Sequence, residues 1–432
     1  MIIYTIKNGD SLYSIARRYG TTSERIALDN GITNPAALTV GQTIVIRQPE
    51  VVYTVEEGDN LYSIAQRFGV TVNQLWRNNP DLDGKTELTP GQSIVVEDAP
   101  VTNEGEIAVN AYVYPSVDRD VLRRTLPYLT YLTLFTYGIE DDGELIGIDD
   151  EEIIELARQY GVAPIMLVST LGSDGKFSNE LAVRILSDEN IQNTLINDIV
   201  RTVGEKRYSG VDVDFEYVPG EYAQAYADFV RKLNDSLDPE GYLTFVALAP
   251  KTSADQPGLL YEGHDYAALG EAADKALLMT YEWGYTYGPP MAVSPENKVR
   301  EVVEYAITEI PPEKLFLGVP NYGYNWKLPY VRGESMAQSL SNVDALKLAG
   351  EKRAAIQFDE TAASPFFRYF ERGDGGAEEH VVWFEDARTV AAALDLVREF
   401  GLYGIGIWNA MRYFPQLWLV LNSTYNISKI LR

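Results

Sequence analysis

A tandem repeat at the start of the chain constrains its fold more than any other feature. Residues 3–30, IYTIKNGDSLYSIARRYGTTSERIALDN, return 49 positions later, at 52–79, as VYTVEEGDNLYSIAQRFGVTVNQLWRNN. The match resumes as LTVGQTIVI at 38–46 against LTPGQSIVV at 88–96, so each copy ends in a β-branched strand. Two such short copies leave most of the 432 residues unexplained, so the sequence predicts two small modules followed by a larger domain.

Each copy is typical of a strand, two helices and a second strand. In the first copy, apolar residues recur at helical spacing after the capping residue Ser11, and Gly20 stands where that helix would end. The second copy repeats the arrangement. Residues 1–48 and 50–97 are therefore predicted to form two small βααβ modules.

This pattern resembles the LysM module, which has an opening Y-x-V/I, a G-D-S/T-L turn, an Asn ending the second helix and a closing L-x-x-G-Q strand. The resemblance implies binding to glycans that contain N-acetylglucosamine, through the turn after the first strand and the segment after the second helix. The same residues also make a turn and a helix cap, and binding would use the backbone that they position. The residues it assigns to glycan binding are Gly9, Asp10, Ser11, Leu12 and Asn30 in the first copy and Gly58, Asp59, Asn60, Leu61 and Asn79 in the second.

Composition narrows the possible partners and chemistry. Lys plus Arg number 36 and Asp plus Glu number 63, a net charge of −27 that repels phosphate backbones and anionic headgroups, so neither nucleic acid nor a membrane is expected as a partner. The absence of cysteine excludes thiolate metal sites, and two histidines, His264 and His380, disfavour zinc sites and a serine triad. We expect no cofactor and no metal, and the sequence does not indicate an oligomeric state.

After a predicted linker at 98–105, short β-branched runs alternate with amphipathic helical stretches. The runs are 108–115, 131–138, 163–170, 210–218, 243–250, 275–283, 315–323 and 403–410. Eight strands alternating with helices over 106–432 predict an α/β domain, a parallel (β/α)8 TIM barrel. The seventh and eighth runs lie farther apart than one helix requires, so we expect a small α+β insertion at about 325–385, walling one side of the cleft.

The fourth run, GVDVDFEYV, indicates the chemistry. Side chains alternate along a strand, so Asp212, Asp214 and Glu216 share one face. Three acids confined inside a barrel cannot all ionise, so at least one pKa should rise and provide a proton donor. Glu216 is nearest the C-terminal end of the strand, where barrel enzymes hold their active sites, and is predicted to be the general acid. An acidic, solvated edge strand is the alternative interpretation.

The spacing of these carboxylates also limits the reaction mechanisms that they can support. Carboxylates two residues apart on one strand cannot flank an anomeric carbon from opposite faces, which disfavours conventional inversion and an aspartyl nucleophile. A glycosidase with this pattern would need the substrate to supply the nucleophile, as the carbonyl oxygen of a 2-acetamido group can. The LysM-like modules point to the same sugar.

The strand resembles the D-x-x-D-x-D-x-E signature of family 18 glycoside hydrolases, the chitinase-like barrels, and the resemblance covers 106–432. Asp212, Asp214 and Glu216 fill the last three acidic positions, whereas Ser209 stands at the first. The resemblance implies retention, with Glu216 protonating the glycosidic oxygen. It also implies that Asp214 orients the acetamido group and stabilises an oxazolinium ion, while Asp212 shares its proton with Asp214.

Two aromatic segments at strand ends extend this resemblance. The family's M-x-Y-D segment corresponds to MTYEWG at 279–284, where Tyr281 is expected to hydrogen-bond the acetamido carbonyl and Glu282 replaces the aspartate. Trp408, at the end of the eighth strand, is expected to form the floor of the subsite for the cleaved sugar. Further candidate substrate-binding residues, which either line the cleft or pack within the barrel mouth, are Trp283, Tyr322 and Tyr112.

The modules, the barrel and the segment MTYEWGYTYGPP together resemble one subgroup of the family, the spore cortical-fragment-lytic N-acetylglucosaminidases. The resemblance implies hydrolysis after N-acetylglucosamine in spore cortex peptidoglycan, by endo or exo action. No export signal precedes the strand-like residues 2–6, which agrees with a spore-associated location; the cell wall or the extracellular space is the alternative. A chitinase acting on chitin oligomers and a catalytically silent glycan-binding protein are the alternative functions.

Overall fold

The computed structural model describes residues 1–98, 104–172, 176–373 and 376–431, and it begins with two βααβ modules. The first comprises β1 (Ile2–Thr5), α1 (Leu12–Tyr19), α2 (Ser23–Asp29) and β2 (Thr43–Ile46), and the second comprises β3 (Pro49–Thr54), α3 (Leu61–Phe68), α4 (Val72–Asn78) and β4 (Ser93–Asp98). In each module the two strands pair antiparallel. The predicted fold of the modules is confirmed, while the predicted linker at 98–105 falls mainly on 99–103, outside the described residues.

The repeated sequence forms the same local structure twice. Ser11 and Asn60 accept a hydrogen bond from the third backbone N–H of α1 and α3, each completing a capping box. Both helices end on a glycine with positive φ, Gly20 and Gly69, both at +70°. The apolar faces of these helices then pack onto the two-stranded sheet, which gives each module its own small core.

The rest of the chain alternates strands and helices. In chain order the elements are β5 (Glu106–Val113), α5 (Arg119–Thr125), β6 (Tyr131–Ile139), β7 (Leu145–Ile146), α6 (Glu151–Gln159), β8 (Ala163–Ser169), α7 (Asn179–Ser187), α8 (Glu189–Lys206), β9 (Gly210–Asp214), α9 (Ala223–Leu237), β10 (Leu243–Leu248), α10 (Tyr266–Ala272), β11 (Lys275–Leu278), α11 (Glu296–Glu309), β12 (Leu315–Pro320), β13 (Gly323–Lys327), β14 (Gln338–Leu340), α12 (Asn342–Lys352), β15 (Gln357–Asp359), β16 (Ser364–Gly373), β17 (Gly376–Trp383), α13 (Ala387–Phe400), β18 (Gly404–Trp408), α14 (Pro415–Thr424) and β19 (Asn426–Ile427). Within the described part of the chain, no helix combines the length and apolar character that crossing a bilayer requires.

Eight parallel strands close into a barrel. Their order is β5, β6, β8, β9, β10, β11, β12 and β18, and β18 pairs with β5 to complete the ring. The helices pack outside, with the largest apolar core between them and the sheet. The predicted TIM barrel is therefore confirmed, and its C-terminal strand ends form the mouth.

The predicted insertion after the seventh barrel strand is also present. Strands β13 to β17 form an antiparallel sheet in the order β14, β13, β17, β16, β15, with α12 packed against it. Because β13 begins three residues after β12 ends, the insertion starts directly at the barrel mouth. The insertion was predicted to wall one side of the cleft, but none of the described residues that line the cleft belongs to it; it packs behind Tyr281 and Tyr322 at the mouth instead.

Two barrel strands end four or five residues earlier than the sequence predicts. The fourth, β9, stops at Asp214 instead of residue 218, and the sixth, β11, stops at Leu278 instead of residue 283. Residues beyond these ends leave the sheet and turn into the mouth. Glu216 and Tyr281 therefore lie on irregular backbone, outside the hydrogen-bonded strands of the barrel.

The first module is docked onto the barrel. The side-chain oxygen of Gln416 on α14 accepts a hydrogen bond from Thr43 Oγ1 (3.1 Å), and its amide donates to the Thr43 carbonyl (2.8 Å). The N–H of Ile356, in the insertion, donates to the Val40 carbonyl (2.9 Å). Beside it, a Cβ on Gly41 would lie 1.9 Å from the Ile356 oxygen, so only glycine permits this approach.

The second module docks through a buried arginine. Arg77 on α4 donates from Nε to the side-chain oxygen of Asn422 on α14 (2.7 Å) and from its guanidinium to the Pro127 carbonyl (3.2 Å). The Tyr128 hydroxyl donates to the Arg77 carbonyl (3.0 Å). At the equivalent position of the first module stands Leu28, whose side chain is left 46% exposed. The two copies therefore contact the barrel through different side chains.

Arg47 joins the two modules. Its guanidinium lies 3.5 Å from Asp29 of the first module, donates to Asp98 of the second (2.9 Å from Nε), and donates to the Asn78 carbonyl (2.8 Å). The Arg47 and Asp29 side chains are each only 1% exposed. Removing one member of such a buried ion pair leaves an uncompensated charge in a low dielectric.

We expect Arg47→Met to lower the free energy of unfolding by about 3 kcal/mol, because the buried Asp29 carboxylate would keep only Arg25 as a cation, and Asp98 and the Asn78 carbonyl would lose their donor. Arg67→Met is the matched control, since Arg67 pairs with Asp59 while 47% exposed, and should cost at most about 1 kcal/mol. Urea unfolding followed by tryptophan fluorescence measures both. Equal losses would contradict the importance of burial at Arg47.

Candidate active site

The acids predicted on the fourth barrel strand point into the barrel. Val211, Val213 and Phe215 belong to the core between sheet and helices, while Asp212 and Asp214 are buried on the opposite, interior side. This is the alternation that a strand imposes.

Asp212 lies deepest. The Tyr112 hydroxyl on β5 donates to its Oδ2 across the barrel (2.7 Å), and its Oδ1 has no hydrogen-bond partner among the described residues. Burial raises the pKa of Asp212 to about 6, although the tyrosine hydrogen bond acts in the opposite direction. Tyr112, predicted to bind substrate, reaches the cleft but gives its hydroxyl to Asp212.

Asp214 and Glu216 follow toward the mouth. Burial raises the pKa of Asp214 well above its ordinary value, and the neighbouring Glu216 and Asp212 carboxylates raise it further. Burial also raises the pKa of Glu216, with a smaller contribution from Glu282. The row of acids therefore holds protons to higher pH than exposed carboxyls do, which is the property of a proton donor.

Glu282 is held at the rim of the cleft by two tyrosines. The Tyr322 hydroxyl donates to its Oε1 at 2.5 Å and the Tyr324 hydroxyl donates to the same oxygen at 3.0 Å. The backbone of Glu282 has φ +68°, and Tyr217, directly after Glu216, has φ +58°. Positive φ is costly for residues other than glycine and is concentrated at functional sites.

Trp408, at the end of β18, is surrounded by aromatic rings. Its ring centroid lies 5.0 Å from Phe135, 5.7 Å from Tyr112 and 6.1 Å from Tyr114. The angles between these rings range from 59° to 70°, so the neighbours meet the indole at its edges or at a tilt. The indole is thereby fixed in one orientation beside the acids.

One cleft brings most of the predicted residues together. Its lining includes Tyr112, Asp214, Glu216, Tyr281, Glu282, Trp283 and Trp408. Asp212 lies beneath the cleft, and Tyr322 contacts its lining by a hydrogen bond to Glu282. The lining also includes residues that the sequence analysis missed, namely Tyr114, Phe135, Phe177, Tyr217 and Tyr261. Some of these were detectable, because Tyr114 directly follows the first barrel strand and Tyr217 follows Glu216.

The residues predicted to bind glycan in the modules serve mainly to shape the turn. Asp10 accepts hydrogen bonds from the Tyr4 hydroxyl (2.7 Å) and the Lys7 N–H (2.8 Å), and Asp59 repeats both contacts in the second copy. Gly9 and Gly58 take positive φ in the same turn. The remaining predicted residues are the helix caps Ser11 and Asn60, and the buried Leu12, Leu61, Asn30 and Asn79.

Asn30 and Asn79 are fully engaged within their modules. The Asn30 amide donates to the Val45 carbonyl (2.8 Å) and its oxygen accepts from the Val45 N–H (2.7 Å); Asn79 repeats this with Val95. Any glycan contact at these positions must therefore use the backbone.

Exposed tyrosines stand beside both turns. Tyr13 and Tyr62, each 71% exposed, occupy equivalent positions at the start of α1 and α3. The sequence analysis did not select them. Their recurrence in the repeat, next to the G-D-x-L turn, was the available signal.

A cluster of potential metal ligands lies outside the cleft, on the hairpin β16–β17. Glu371, Glu378 and His380 place ligand atoms within 4.8 Å of one another. Lys352 and Lys327 already pair with the two glutamates, at 2.8 and 2.6 Å. The ammonium groups of Lys327 and Lys352 repel a cation at these glutamates, so the cluster is unsuited to binding a metal ion.

Comparison with known proteins supports the motif assignments. The profile of glycosyl hydrolases family 18 matches residues 127–412, and the LysM domain profile matches 4–47 and 53–97. The chain is 40% identical to the cortical fragment-lytic enzyme of Bacillus subtilis (strain 168) and 37% identical to that of Bacillus cereus, covering 99% of both chains in each comparison. The crystal structure of the Bacillus megaterium QM B1551 spore cortex-lytic enzyme SleL superposes with a TM-score of 0.83 at 37% identity, covering 99% of this chain and 98% of that one.

Asp212 offers a test of the buried acids. Because its pKa is about 6 in the folded chain against 3.8 ordinarily, the unfolded chain loses its proton first, and folding stability falls as pH rises between these values. Asp212→Asn, which keeps an acceptor for Tyr112, should therefore raise the free energy of unfolding by up to about 3 kcal/mol at pH 8 and change it little at pH 4.

Chemical denaturation at the two pH values measures the difference. Asp235→Asn, on the exposed side of α9, is the control and should give the same stability change at both. A pH-independent effect of Asp212→Asn would show that Asp212 ionises in the folded chain as it does in the unfolded one.

Proposed function

The chain belongs to glycosyl hydrolases family 18, and on that premise we propose that it is a retaining, substrate-assisted N-acetylglucosaminidase of spore cortex peptidoglycan. The observation that carries the proposal is the row Asp212, Asp214 and Glu216, directed into one cleft beside Tyr281 and Trp408. The family membership establishes a glycosidase. The mechanism, the residue roles and the substrate are the proposed parts.

In the first step, the sugar on the leaving side of the bond departs. Glu216, whose raised pKa favours its protonated form, donates its proton to the glycosidic oxygen. The acetamido carbonyl oxygen of the bound sugar attacks C1, and the bond to the leaving oxygen breaks. Asp214 accepts a hydrogen bond from the acetamido N–H and stabilises the positive oxazolinium ring, while the Tyr281 hydroxyl donates to the acetamido oxygen. Trp408 supports the sugar face.

In the second step, Glu216 acts as a carboxylate base. It removes a proton from water, which attacks C1 from the face that the leaving group vacated, and the C1–oxygen bond of the oxazolinium ring breaks. Two displacements at C1 restore the original configuration. Asp212 shares a proton with Asp214, so the pair carries less negative charge than two separate carboxylates would.

The substrate is proposed from two lines of support. The relatives named as cortical fragment-lytic or spore cortex-lytic enzymes match along the whole chain, including both LysM domains. LysM domains imply recognition of N-acetylglucosamine-containing glycans, the sugar whose acetamido group the mechanism requires. We therefore place the protein with the spore cortex; the cell wall is the alternative location, and chitin is the alternative substrate.

Replacing the acid tests the mechanism. We expect Glu216→Gln to lower kcat on purified cortex fragments by at least about 100-fold, because the amide cannot donate the proton. Borohydride reduction of the products followed by mass spectrometry should give reduced N-acetylglucosamine ends with the unaltered chain only. Cleavage of chitin oligomers but not of cortex fragments would show that chitin is the substrate. Unchanged activity in Glu216→Gln would exclude this mechanism.

Glu282 tests the source of the nucleophile, because it is a second carboxylate in the cleft near Glu216. If the acetamido group attacks C1, Glu282→Gln should retain activity within about tenfold, and added azide should yield no glycosyl azide. A much larger loss that azide restores, with formation of a glycosyl azide, would identify Glu282 as an enzyme nucleophile and overturn substrate assistance.

The exposed tyrosines test the role of the modules. The double variant Tyr13→Ala, Tyr62→Ala should weaken binding to insoluble cortex by about tenfold, because two aromatic faces for sugar stacking are lost. Hydrolysis of soluble fragments should stay unchanged. Phe370→Ala, which removes a ring 66% exposed on the insertion, is the control for surface apolarity. Equal losses on soluble and insoluble substrate would contradict a separate binding role.

A further inference from the structure

His264 occupies a buried position directly behind the acids. It is fully shielded from solvent, and both ring nitrogens have partners. Nδ1 accepts a hydrogen bond from the Ala249 N–H (2.9 Å), and Nε2 lies 3.2 Å from the Phe215 carbonyl oxygen. Since Nδ1 faces a donor and Nε2 faces an acceptor, a neutral ring with its proton on Nε2 satisfies both contacts.

The two backbone groups that the ring joins are those of a missing sheet hydrogen bond. Strands β9 and β10 pair in parallel with Val213 opposite Val246, and the Leu243 N–H donates to the Ser209 carbonyl (3.1 Å). Rungs of this kind recur every two residues along a parallel pair. Three steps further, the ladder would join the Ala249 N–H to the Phe215 carbonyl, and the imidazole stands between these two groups.

The ring therefore allows the strands to separate without leaving buried backbone groups unpaired. The separation falls at Phe215, between the end of β9 at Asp214 and Glu216, where the chain turns into the mouth. On the other side, the Phe215 N–H approaches the Tyr226 hydroxyl (3.4 Å), and the Phe215 ring stacks on Tyr226 with centroids 5.6 Å apart. Both backbone groups of Phe215 are thus contacted by side chains.

We propose that His264 is a positioning residue for Glu216. Its imidazole replaces the hydrogen bond between the Ala249 N–H and the Phe215 carbonyl, holds the peptide that precedes Glu216, and keeps water out of the gap between the two strands. This inference rests on the proposed role of Glu216 as the acid. His264 touches neither substrate nor reacting atoms and acts through the backbone. Its contribution is to the orientation of the carboxyl group relative to the glycosidic oxygen.

The surroundings of the ring favour its neutral form. Burial lowers the pKa of His264 to about 4; the hydrogen bond to the Phe215 carbonyl acts in the opposite direction, and the nearby Lys251 ammonium lowers the pKa further. Lys251 Nζ donates to the His264 carbonyl (2.9 Å), and the Tyr226 ring lies beside the imidazole at 5.9 Å between centroids. The Tyr266 hydroxyl closes the other side by donating to the Ala249 carbonyl (2.6 Å). At neutral pH, Nδ1 of His264 therefore stays unprotonated and can accept the hydrogen bond from the Ala249 N–H.

The first test does not depend on activity. The chain has two histidines, so 15N spectra of histidine-labelled protein contain two rings, and His380→Gln assigns them. We expect His264 to be the Nε2–H tautomer and to stay neutral at pH 5.5. An Nδ1–H tautomer, or a ring protonated at pH 5.5, would overturn the proposal whether or not the chain cleaves cortex.

The second test compares two amides of different reach. Glutamine can span toward both backbone groups with one donor and one acceptor, whereas asparagine is shorter by one methylene. We expect His264→Asn to lower kcat on soluble fragments by about 10- to 100-fold with KM unchanged, since small displacements of a catalytic group are costly. His264→Gln should recover at least half of that loss on a logarithmic scale. His380→Gln should leave both constants unchanged.

The outcomes separate this proposal from the proposed function. If the unaltered chain and all variants are inactive on cortex and chitin fragments, the proposed function fails, and the tautomer measurement decides the placement of the ring. If the unaltered chain is active and His264→Asn, shown to be folded by its thermal transition, matches it in kcat, the positioning role is overturned. Equal kcat losses in the Gln and Asn variants would also overturn it, because reach would then be irrelevant.

Discussion

The burial of two carboxyl groups, with the partial burial of a third, is the constraint on which the catalytic domain depends. A barrel interior is normally filled with apolar side chains, and here it contains Asp212 and Asp214, with Glu216 just above them. Their desolvation is unfavourable to folding at neutral pH, and the large apolar core around the barrel offsets it. The same desolvation keeps a proton available at the mouth, so a locally unfavourable arrangement is also the chemically useful one.

Much of this arrangement could be predicted because it follows from short-range rules. The period of two along GVDVDFEYV placed the three acids on one face, and the count of eight strands led to the barrel. Other features depend on contacts between distant residues. The hydrogen bond from Tyr112 to Asp212 joins positions 100 apart, and the ends of β9 and β11 depend on how neighbouring strands diverge. His264 resembles any buried histidine in the sequence, since its partners are backbone groups of two other segments.

The arrangement of the modules was the other feature beyond sequence reasoning. The linker predicted at 98–105 did not indicate how the modules lie against the barrel. In the structure, Gln416, Arg77 and Arg47 join the modules to the barrel and to each other through buried polar contacts. Such contacts use single side chains in elements whose patterns are already accounted for by their own module. A glycan held by the modules would therefore approach the cleft from a set direction instead of from a flexible tether.

The difference between Arg77 and Leu28 bears on whether the two modules could exchange places. They occupy the same position of the repeat, yet the arginine is buried against the Pro127 carbonyl and the Asn422 side chain while the leucine is 46% exposed. Exchanging the order of the two modules would bring a leucine against the Pro127 carbonyl and leave that oxygen unsatisfied. The copies share one fold but are not interchangeable, because each carries side chains that fit only its own place on the barrel.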